Sequence, residues 1–365
     1  MKRRRAGKAT VGRGRPGRSL PAWIKLGIYF VARLAGVFAL CRHLTRSHLR
    51  ILGYHGASVG DEDRFNPFLF LPPRIFRRRV AWLLAKGFTV VPLQQAVESL
   101  HRPGALGRLP TVITFDDGWQ STADRLIPVL ADRGLPSTLY LSTGDFLQGF
   151  PIPAVVLRYL LWTSGRDEVD MGEAGTPVDG RHALADPEGA RRFVDRAVRW
   201  LEQSSDRDGM VAKLDRLARA LGVDPAGLDL ASRRFDYLSH DDLPQLAARG
   251  CTVELHGHRH RYPRGEPDVF AADLAACRDA IRDLGLPEPR HYCYPSGNFD
   301  RAAAATLERL GLESATTCVP EWVRAAHGAS RYFLPRLLDS GDMHMLEFEA
   351  ELSGFAPWLR RITGR

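Results

Sequence analysis

The chain has 365 residues, 44% of them apolar and 25% charged, which indicates a globular protein with a substantial buried core. The net charge of +9 suggests an anionic partner, but 13 of the 51 basic residues and no acidic residue lie in the first 50 positions. The rest of the chain therefore carries 38 basic against 42 acidic residues, a net charge of −4. Because a nucleic-acid enzyme carries its basic residues on the folded domain, nucleic acid is excluded as an expected partner.

Residues 1–49 are predicted to form a basic leader with an amphipathic helix at about 21–41, which includes Lys25 and Arg33. The longest uncharged run in this helix, residues 34–41, has 8 residues, whereas a spanning helix needs about 20. No cleavable signal peptide is expected, because the segment has no suitable apolar core or cleavage site. Two interpretations stay open: a helix on an anionic membrane surface, or a helix packed on the domain.

The five cysteines form no Cys-x-x-Cys pair, and their odd number argues against a disulfide framework or a Cys-rich zinc site. This pattern favours a reducing compartment. We therefore expect the protein in the cytoplasm or at the cytoplasmic face of the inner membrane.

From residue 50 onward, short apolar runs alternate with amphipathic stretches, which predicts strands connected by helices around a mostly parallel sheet or barrel. Strands are predicted at 51–54, 89–92, 111–115, 137–142, 252–255, 291–294, 314–317 and 332–337. Helices are predicted at 75–86, 123–133, 241–248, 269–284 and 301–310. The fold class is therefore α/β, with one main domain at 50–345 and a C-terminal tail at 346–365.

The stretch at about 150–234 interrupts this alternation, because it is charged, helical and poor in strand signals. Its clearest helices are predicted at 190–203 and 210–221. We interpret it as an insertion, with a role either in packing alone or in shaping the substrate groove or contacting a membrane.

Two adjacent carboxylates, Asp116 and Asp117, follow an apolar strand in Val112-Ile-Thr-Phe-Asp-Asp-Gly-Trp119. Catalytic groups of strand-helix barrels lie at such strand ends, because the scaffold fixes them while the loops stay free to bind. Neighbouring carboxylates raise each other's pKa unless a cation or a functional proton stabilises them. A solvated turn could also contain this pair.

Three histidines, His256, His258 and His260, follow another predicted strand. Imidazoles at positions i and i+4 can face one divalent ion, and two of them with one carboxylate leave a coordination position for water. His256 and His260 are therefore candidate ligands, and His258 between them is expected to point elsewhere.

These motifs resemble the polysaccharide deacetylase family, the NodB-homology domain of carbohydrate esterase family 4, across most of residues 50–340. The resemblance rests on residues 51–55, 114–118, 235–243, 256–260, 294–297 and 334–336. Its most specific part is Thr-Phe-Asp-Asp-Gly with a downstream His-x-x-x-His.

The resemblance implies a distorted (β/α) barrel of about seven strand-helix units, with the helical insertion and the leader added to it. It also implies Asp116 as general base and Asp117, His256 and His260 as ligands of a divalent metal ion. Zinc is the first choice, and cobalt, nickel or iron suit the same ligands. Backbone N–H groups near Ser296 would stabilise the oxyanion.

The chain departs from the family where members often carry Arg-x-Pro-Tyr-Gly, because it has Cys293-Tyr-Pro-Ser-Gly297 instead. The arginine that would orient the catalytic base is missing there, and we expect Arg336 of Leu-Pro-Arg to replace it.

The general acid is expected to be His55, since members with the same Tyr-His opening keep that histidine near the metal. His344 is the weaker candidate, and a packing role for His55 stays open. Trp119 and Tyr294 are candidates for stacking on sugar faces, although buried aromatics would give the same pattern.

The expected activity is removal of N-acetyl groups from an amino-sugar glycan or glycolipid of the bacterial envelope or exopolysaccharide. One alternative is a metal-dependent hydrolase of a small non-sugar amide, since the metal centre recognises a carbonyl while the loops set specificity. The other is a catalytically inactive glycan-binding protein of the same fold. Acetate release from N-acetylglucosamine oligomers distinguishes the first two, and a protein without bound divalent metal would favour the third.

Overall fold

The computed structural model describes residues 20–102, 104–146, 150–173, 176–323 and 331–363, so residues 1–19 of the predicted leader lie outside the described residues. The chain divides into two compact units. The smaller includes Phe150–Asp236, and the larger comprises Arg18–Gly149 with Tyr237–Arg365.

The elements are numbered in chain order. The strands are β1 Arg50–Tyr54, β2 Gly56–Ala57, β3 Phe70–Leu71, β4 Thr89–Val90, β5 Pro110–Asp117, β6 Ser137–Leu141, β7 Glu168–Asp170, β8 Arg181–Ala183, β9 Cys251–Leu255, β10 His291–Cys293, β11 Ser314–Thr316 and β12 Leu337–Leu338. The α-helices are α1 Leu20–Leu34, α2 Val37–Leu44, α3 Glu62–Phe65, α4 Pro73–Ala85, α5 Leu93–Glu98, α6 Gln120–Arg125, α7 Ile127–Ala131, α8 Thr143–Phe146, α9 Pro153–Ser164, α10 Pro187–Leu201, α11 Arg207–Ala220, α12 Leu243–Ala248, α13 Pro267–Asp283, α14 Ala303–Arg309, α15 Met345–Ser353 and α16 Phe355–Thr363.

The larger unit is built on a parallel sheet with the strand order β11-β10-β9-β6-β5-β1-β12, and β4 also pairs with β5. Strands β1, β5 and β6 are buried along their whole length, as expected for parallel strands covered on both faces. The seven-stranded path curls as a (β/α) barrel does, which confirms the predicted fold class.

The segment after β11 connects the two edges of this sheet. Leu334 forms a parallel bridge with Thr316 of β11, and three residues later Leu337 pairs with Leu52 of β1. The predicted strand at 332–337 is therefore wrong in its bounds, because a 3₁₀ helix occupies Arg331–Phe333 and β12 has only two residues. Arg336 lies between the bridge to β11 and the pairing with β1.

The smaller unit contains α9, α10, α11 and the antiparallel pair β7–β8, which the helical prediction for 150–234 did not include. Helices α10 and α11 begin after aspartates whose side chains accept a backbone N–H three residues later: Asp186 from Gly189 and Asp206 from Gly209. These caps fix the helix starts at Pro187 and Arg207, close to the predicted bounds.

The predicted leader helix is two helices, α1 and α2, separated at Gly36, whose φ of 75° is left-handed. Their inner side packs on the residues predicted as a C-terminal tail, which instead form α15 and α16. Tyr29 and Phe38 lie in one cluster with Ala350 and Phe355. Among the described residues, no single helix has the length and apolarity needed to cross a membrane, and Ala22–Leu34 with Val37–Leu44, bent by 77°, meet that test only as a pair.

A buried histidine joins the first residues of β10 and β11. The ring of His291 hydrogen bonds with Ser314 Oγ and Gln94 Oε1, both at 2.8 Å. Burial lowers the pKa of this imidazole to about 4. The unfolded chain takes up a proton near about pH 6.5 while the folded ring stays neutral, so the stability from His291 is present above that pH and is lost as the pH falls towards about 4.

We therefore expect His291→Asn to flatten the acid side of the stability curve. Between about pH 7 and about pH 4, the variant should lose roughly 3 kcal/mol less unfolding free energy than the unmodified protein. Urea unfolding across this range measures the difference, and substitution of the exposed His101 by Asn is the control. Equal losses in all three proteins would contradict the role given to His291.

Candidate active site

Three neighbouring strands bring the predicted metal ligands together at their carboxyl ends. Asp117 is the last residue of β5 and pairs with Leu141, the last residue of β6. His256 follows β9 directly, and its backbone N–H donates to the Leu141 carbonyl at 3.1 Å. Asp117 and His256 therefore flank the same residue, at the end of the sheet where strand-helix barrels bind their substrates.

The ligand atoms of Asp117, His256 and His260 all lie within 4.8 Å of one another. Asp117 Oδ1 is 3.3 Å from His256 Nε2 and 3.0 Å from His260 Nε2. Two ligands held about 2.0–2.1 Å from a tetrahedral ion lie about 3.3 Å apart, so these separations suit one divalent ion.

In Asp117 and His256, the polar atom that faces away from the other ligands is hydrogen bonded elsewhere, which leaves the ligating atom available. The Trp119 indole N–H donates to Asp117 Oδ2 at 3.0 Å, which leaves Oδ1 facing the histidines. His256 Nδ1 lies 2.9 Å from the Cys293 carbonyl, which can only accept, so Nδ1 carries the proton and Nε2 offers its lone pair. Such outer contacts orient metal ligands in proteins.

The loop that carries His260 is held by Asp273 of α13, a buried carboxylate that sequence reasoning missed. It accepts the backbone N–H groups of His258 at 2.9 Å and Arg259 at 3.0 Å. The His258 ring hydrogen bonds with Thr143 Oγ1 at 3.0 Å. Asp273 lies within the predicted helix at 269–284, but no sequence signal connects it with this loop.

Asp116 lies beside this group and is held by Arg336. Nη1 and Nη2 of the guanidinium donate to the two carboxylate oxygens at 2.6 and 2.7 Å, and Arg336 is fully buried. Burial by itself would raise the pKa of Asp116, but the Arg336 charge, the Arg336 hydrogen bonds and the nearby His256 and His55 together lower it. Asp116 is therefore an ionised, oriented carboxylate.

Cys293, which stands where the family often carries an arginine, contacts Arg336 directly. Arg336 Nη2 donates to Cys293 Sγ at 3.0 Å, and burial raises the pKa of that thiol well above its usual value. Cys293 thus lies against the arginine predicted to compensate for it. The ligand atoms of Asp116, His256 and Cys293 also lie within 4.8 Å, but an ion there would lie against the Arg336 guanidinium.

The two general-acid candidates have different surroundings. His55 is a largely buried residue with Nε2 3.8 Å from Asp116 Oδ2. Burial lowers the pKa of His55 although the Asp117 and Asp116 carboxylates oppose that shift, so the ring is neutral near neutral pH. His344 instead precedes α15 and caps it, because its Nδ1 accepts the Leu346 N–H at 3.1 Å.

The three predicted substrate-binding residues lie in unequal positions. Trp119 and Tyr294 are buried, and the Tyr294 ring is stacked at 11° on Phe333, so the predicted stacking of these two rings on sugar faces has no support from their placement. Ser296 is exposed on the 3₁₀ turn Pro295–Gly297 with a left-handed φ of 54°, and its part in an oxyanion hole stays a prediction.

Comparison with known proteins gives one sequence match and several structural ones. The family model for polysaccharide deacetylases matches residues 230–315, and no curated protein matches the chain. The Streptococcus pyogenes deacetylase PplD in complex with acetate is 15% identical with a TM-score of 0.54, covering 84% of this chain and 99% of that one.

Two further structures are similar over most of their length. IcaB from Ammonifex degensii is 18% identical with a TM-score of 0.52, covering 85% of this chain and 97% of that one. A de-N-acetylase from Aggregatibacter actinomycetemcomitans is 13% identical with a TM-score of 0.50, covering 83% of this chain and 99% of that one. At such identities these likenesses show the fold. With the match at residues 230–315, they confirm the resemblance of this chain to the polysaccharide deacetylase family.

Proposed function

We propose that this protein is a metal-dependent hydrolase that removes N-acetyl groups from an amino-sugar glycan or glycolipid of the bacterial envelope or exopolysaccharide. The observation that carries the proposal is the convergence of Asp117, His256 and His260 beside the ionised Asp116. The family match at residues 230–315 supports glycan deacetylation. The similar S. pyogenes deacetylase was solved with acetate, the product that this reaction would release.

The donor set favours zinc, with cobalt, nickel or iron as substitutes, because two imidazoles and one carboxylate suit each of these ions. An ion held by Asp117, His256 and His260 would polarise the acetyl carbonyl and lower the pKa of the attacking water. Burial and the two neighbouring imidazoles have opposite effects on the pKa of Asp117. Burial would raise this pKa, but the adjacent His260 and His256 rings together hold it well below the usual value.

Asp116 takes the proton from the attacking water. Its carboxylate is charged because of Arg336, and the two-point contact fixes the plane of the carboxyl group. Thr114 Oγ1, 3.1 Å from Arg336 Nη1, supports the guanidinium from the same strand as Asp116. The base is thus positioned by a residue that itself has little freedom to move.

His55 passes a proton to the leaving amine. The neutral ring must first gain that proton, and Asp116 Oδ2, 3.8 Å from its Nε2, is the neighbouring group that holds one after water attack. The proton then moves from water to Asp116, to His55 and to the nitrogen of the breaking amide bond. Acetate and a free amino sugar result, and both side chains return to their starting states.

The first test is acetate release from N-acetylglucosamine oligomers, acetylated glycolipids and small acetamides, with the protein loaded separately with each metal. We expect release from the amino-sugar substrates and loss of activity after chelation. Asp116→Asn should keep the metal and slow the reaction about 10²–10⁴-fold. Asp117→Asn should lose both metal and activity, as measured by metal analysis of the dialysed protein.

His258→Ala is the matched control for His256→Ala and His260→Ala, since its ring contacts Thr143 and it lies between the two ligands. Only the two ligand variants should lose the metal. Release from small acetamides alone would favour the non-sugar hydrolase, and a protein that binds no divalent metal would contradict the proposal.

The second test concerns Arg336. Arg336→Ala leaves the Asp116 carboxylate buried without its partner, so we expect about 3–5 kcal/mol lower stability and at least about 100-fold slower deacetylation by the folded protein. Arg79→Ala breaks another buried arginine pair, with Asp339, and should lower stability without a comparable loss of rate. Thermal unfolding and initial rates separate the two effects. A full rate in Arg336→Ala would show that Arg336 does not orient the base.

A further inference from the structure

The helices at the two ends of the larger unit carry an unusual concentration of exposed apolar side chains. Ten of the fourteen exposed large apolar residues in the described part of the chain lie on α1, α2 and α16, and each is between 47% and 72% exposed. Six of them are on α1: Trp23, Ile24, Ile28, Phe30, Val31 and Leu34. The set of ten is called the outer helix face below.

This exposure is a property of how α1 packs. One stripe of the helix, which includes Leu26 and Tyr29, is buried against α15 and α16. The rest of α1 is nearly as apolar, and its large apolar side chains are about half exposed or more in the part of the chain that the structure describes. A helix that is apolar around most of its circumference is normally buried on most sides, so the outer face lacks the cover that its composition calls for.

The charges around this face are predominantly positive. Of the carboxylates on α15, Glu347 pairs with Lys25 and Glu349 with Arg33, both from α1. Glu351 pairs with Arg360 of α16. These pairs neutralise both members, but α1, α2 and α16 carry five Lys or Arg residues and no acidic one, against three glutamates on α15. The whole sequence up to residue 50 contains 13 basic residues and no acidic one.

We propose that the outer helix face docks on a lipid bilayer that contains anionic lipids. The apolar side chains enter the boundary between headgroups and acyl chains, with Trp23 and Trp358 at the depth that tryptophan prefers, and the basic residues bind lipid phosphates. The 77° bend between α1 and α2 and the Arg33–Glu349 pair suit helices that lie in the interface. A second copy of the chain is a poorer partner, because it would bring two basic surfaces together.

This proposal does not depend on the deacetylase activity, so the two can fail separately. It is tested by sedimentation of the full-length protein with vesicles of phosphatidylcholine alone or of equal parts phosphatidylcholine and phosphatidylglycerol. We expect binding to the anionic vesicles that is weakened by salt and by omission of phosphatidylglycerol. The double variant Ile28→Asp with Val31→Asp should bind about tenfold or more weakly.

The matched control is Leu84→Asp with Val269→Asp, which changes two exposed apolar residues outside the outer helix face and should leave vesicle binding unchanged. Serine in place of Lys2, Arg3, Arg4 and Arg5 should reduce the preference for anionic vesicles without altering the apolar face. The thermal unfolding temperature verifies that each variant is folded.

Three results would overturn the proposal. The first is no binding to anionic vesicles, and the second is an equal loss of binding in the control pair. The third is a dimer in light scattering that Ile28→Asp with Val31→Asp converts to a monomer, with no vesicle binding by either form, which would assign the outer helix face to a second copy of the chain.

Discussion

The bidentate contact between Arg336 and Asp116 connects the closure of the sheet with the chemistry of the site. Arg336 lies between Leu334, which bridges to β11, and Leu337, which pairs with β1. A buried guanidinium is costly to desolvate, and here both carboxylate oxygens, a hydroxyl and a thiol satisfy it. The segment that joins the two edges of the sheet therefore also supplies the group that orients the Asp116 carboxylate.

The two adjacent aspartates face different partners because the chain turns at Asp117, the last residue of β5. Side chains alternate along an extended strand, but Asp117 has a φ of 73°, which turns the chain at this point. His260, on the opposite side of the centre, also has a left-handed φ, of 48°. Non-glycine residues adopt this conformation at a cost, and it persists at functional sites where the surroundings enforce it. The strain here brings Asp117 to the imidazoles while Asp116 stays with Arg336.

The sequence predicts the central strands well and predicts residues 331–338, which link β11 to β1, poorly. One physical reason explains both results. Strands β1, β5, β6 and β9 lie within one or two residues of their predicted bounds. The first three are buried along their whole length, so their apolar residues mark them in the sequence. Residues 331–338 form their contacts one or two at a time with β11 and β1. The pairing of Leu337 with Leu52 joins positions far apart in the chain, which a local apolar pattern does not indicate, so this pattern predicts a single strand.

The site shows the same limit at the level of side chains. Residue types and spacing indicate that a carboxylate and two histidines share an ion, because the ends of parallel strands meet at one edge of a sheet. They do not indicate which way an aromatic ring points. Trp119 was expected to face a sugar, yet its ring is buried and its indole N–H holds Asp117. The sequence does not indicate any part for Asp273 in the site, because this residue of α13 acts by accepting the backbone N–H groups of His258 and Arg259.

The N-terminal helices show why packing on the domain and contact with a membrane are not exclusive alternatives. The sequence leaves both interpretations open because α1 is apolar on more than one side. One side of the helix can therefore pack on the domain while another side contacts a membrane. Burial of Tyr29 and Phe38 against Phe355 fixes the rotation of α1 and α2, and that rotation presents Ile28 and Val31 outward. The C-terminal helices, which the sequence suggested were a tail, therefore determine which side of the leader faces away from the protein.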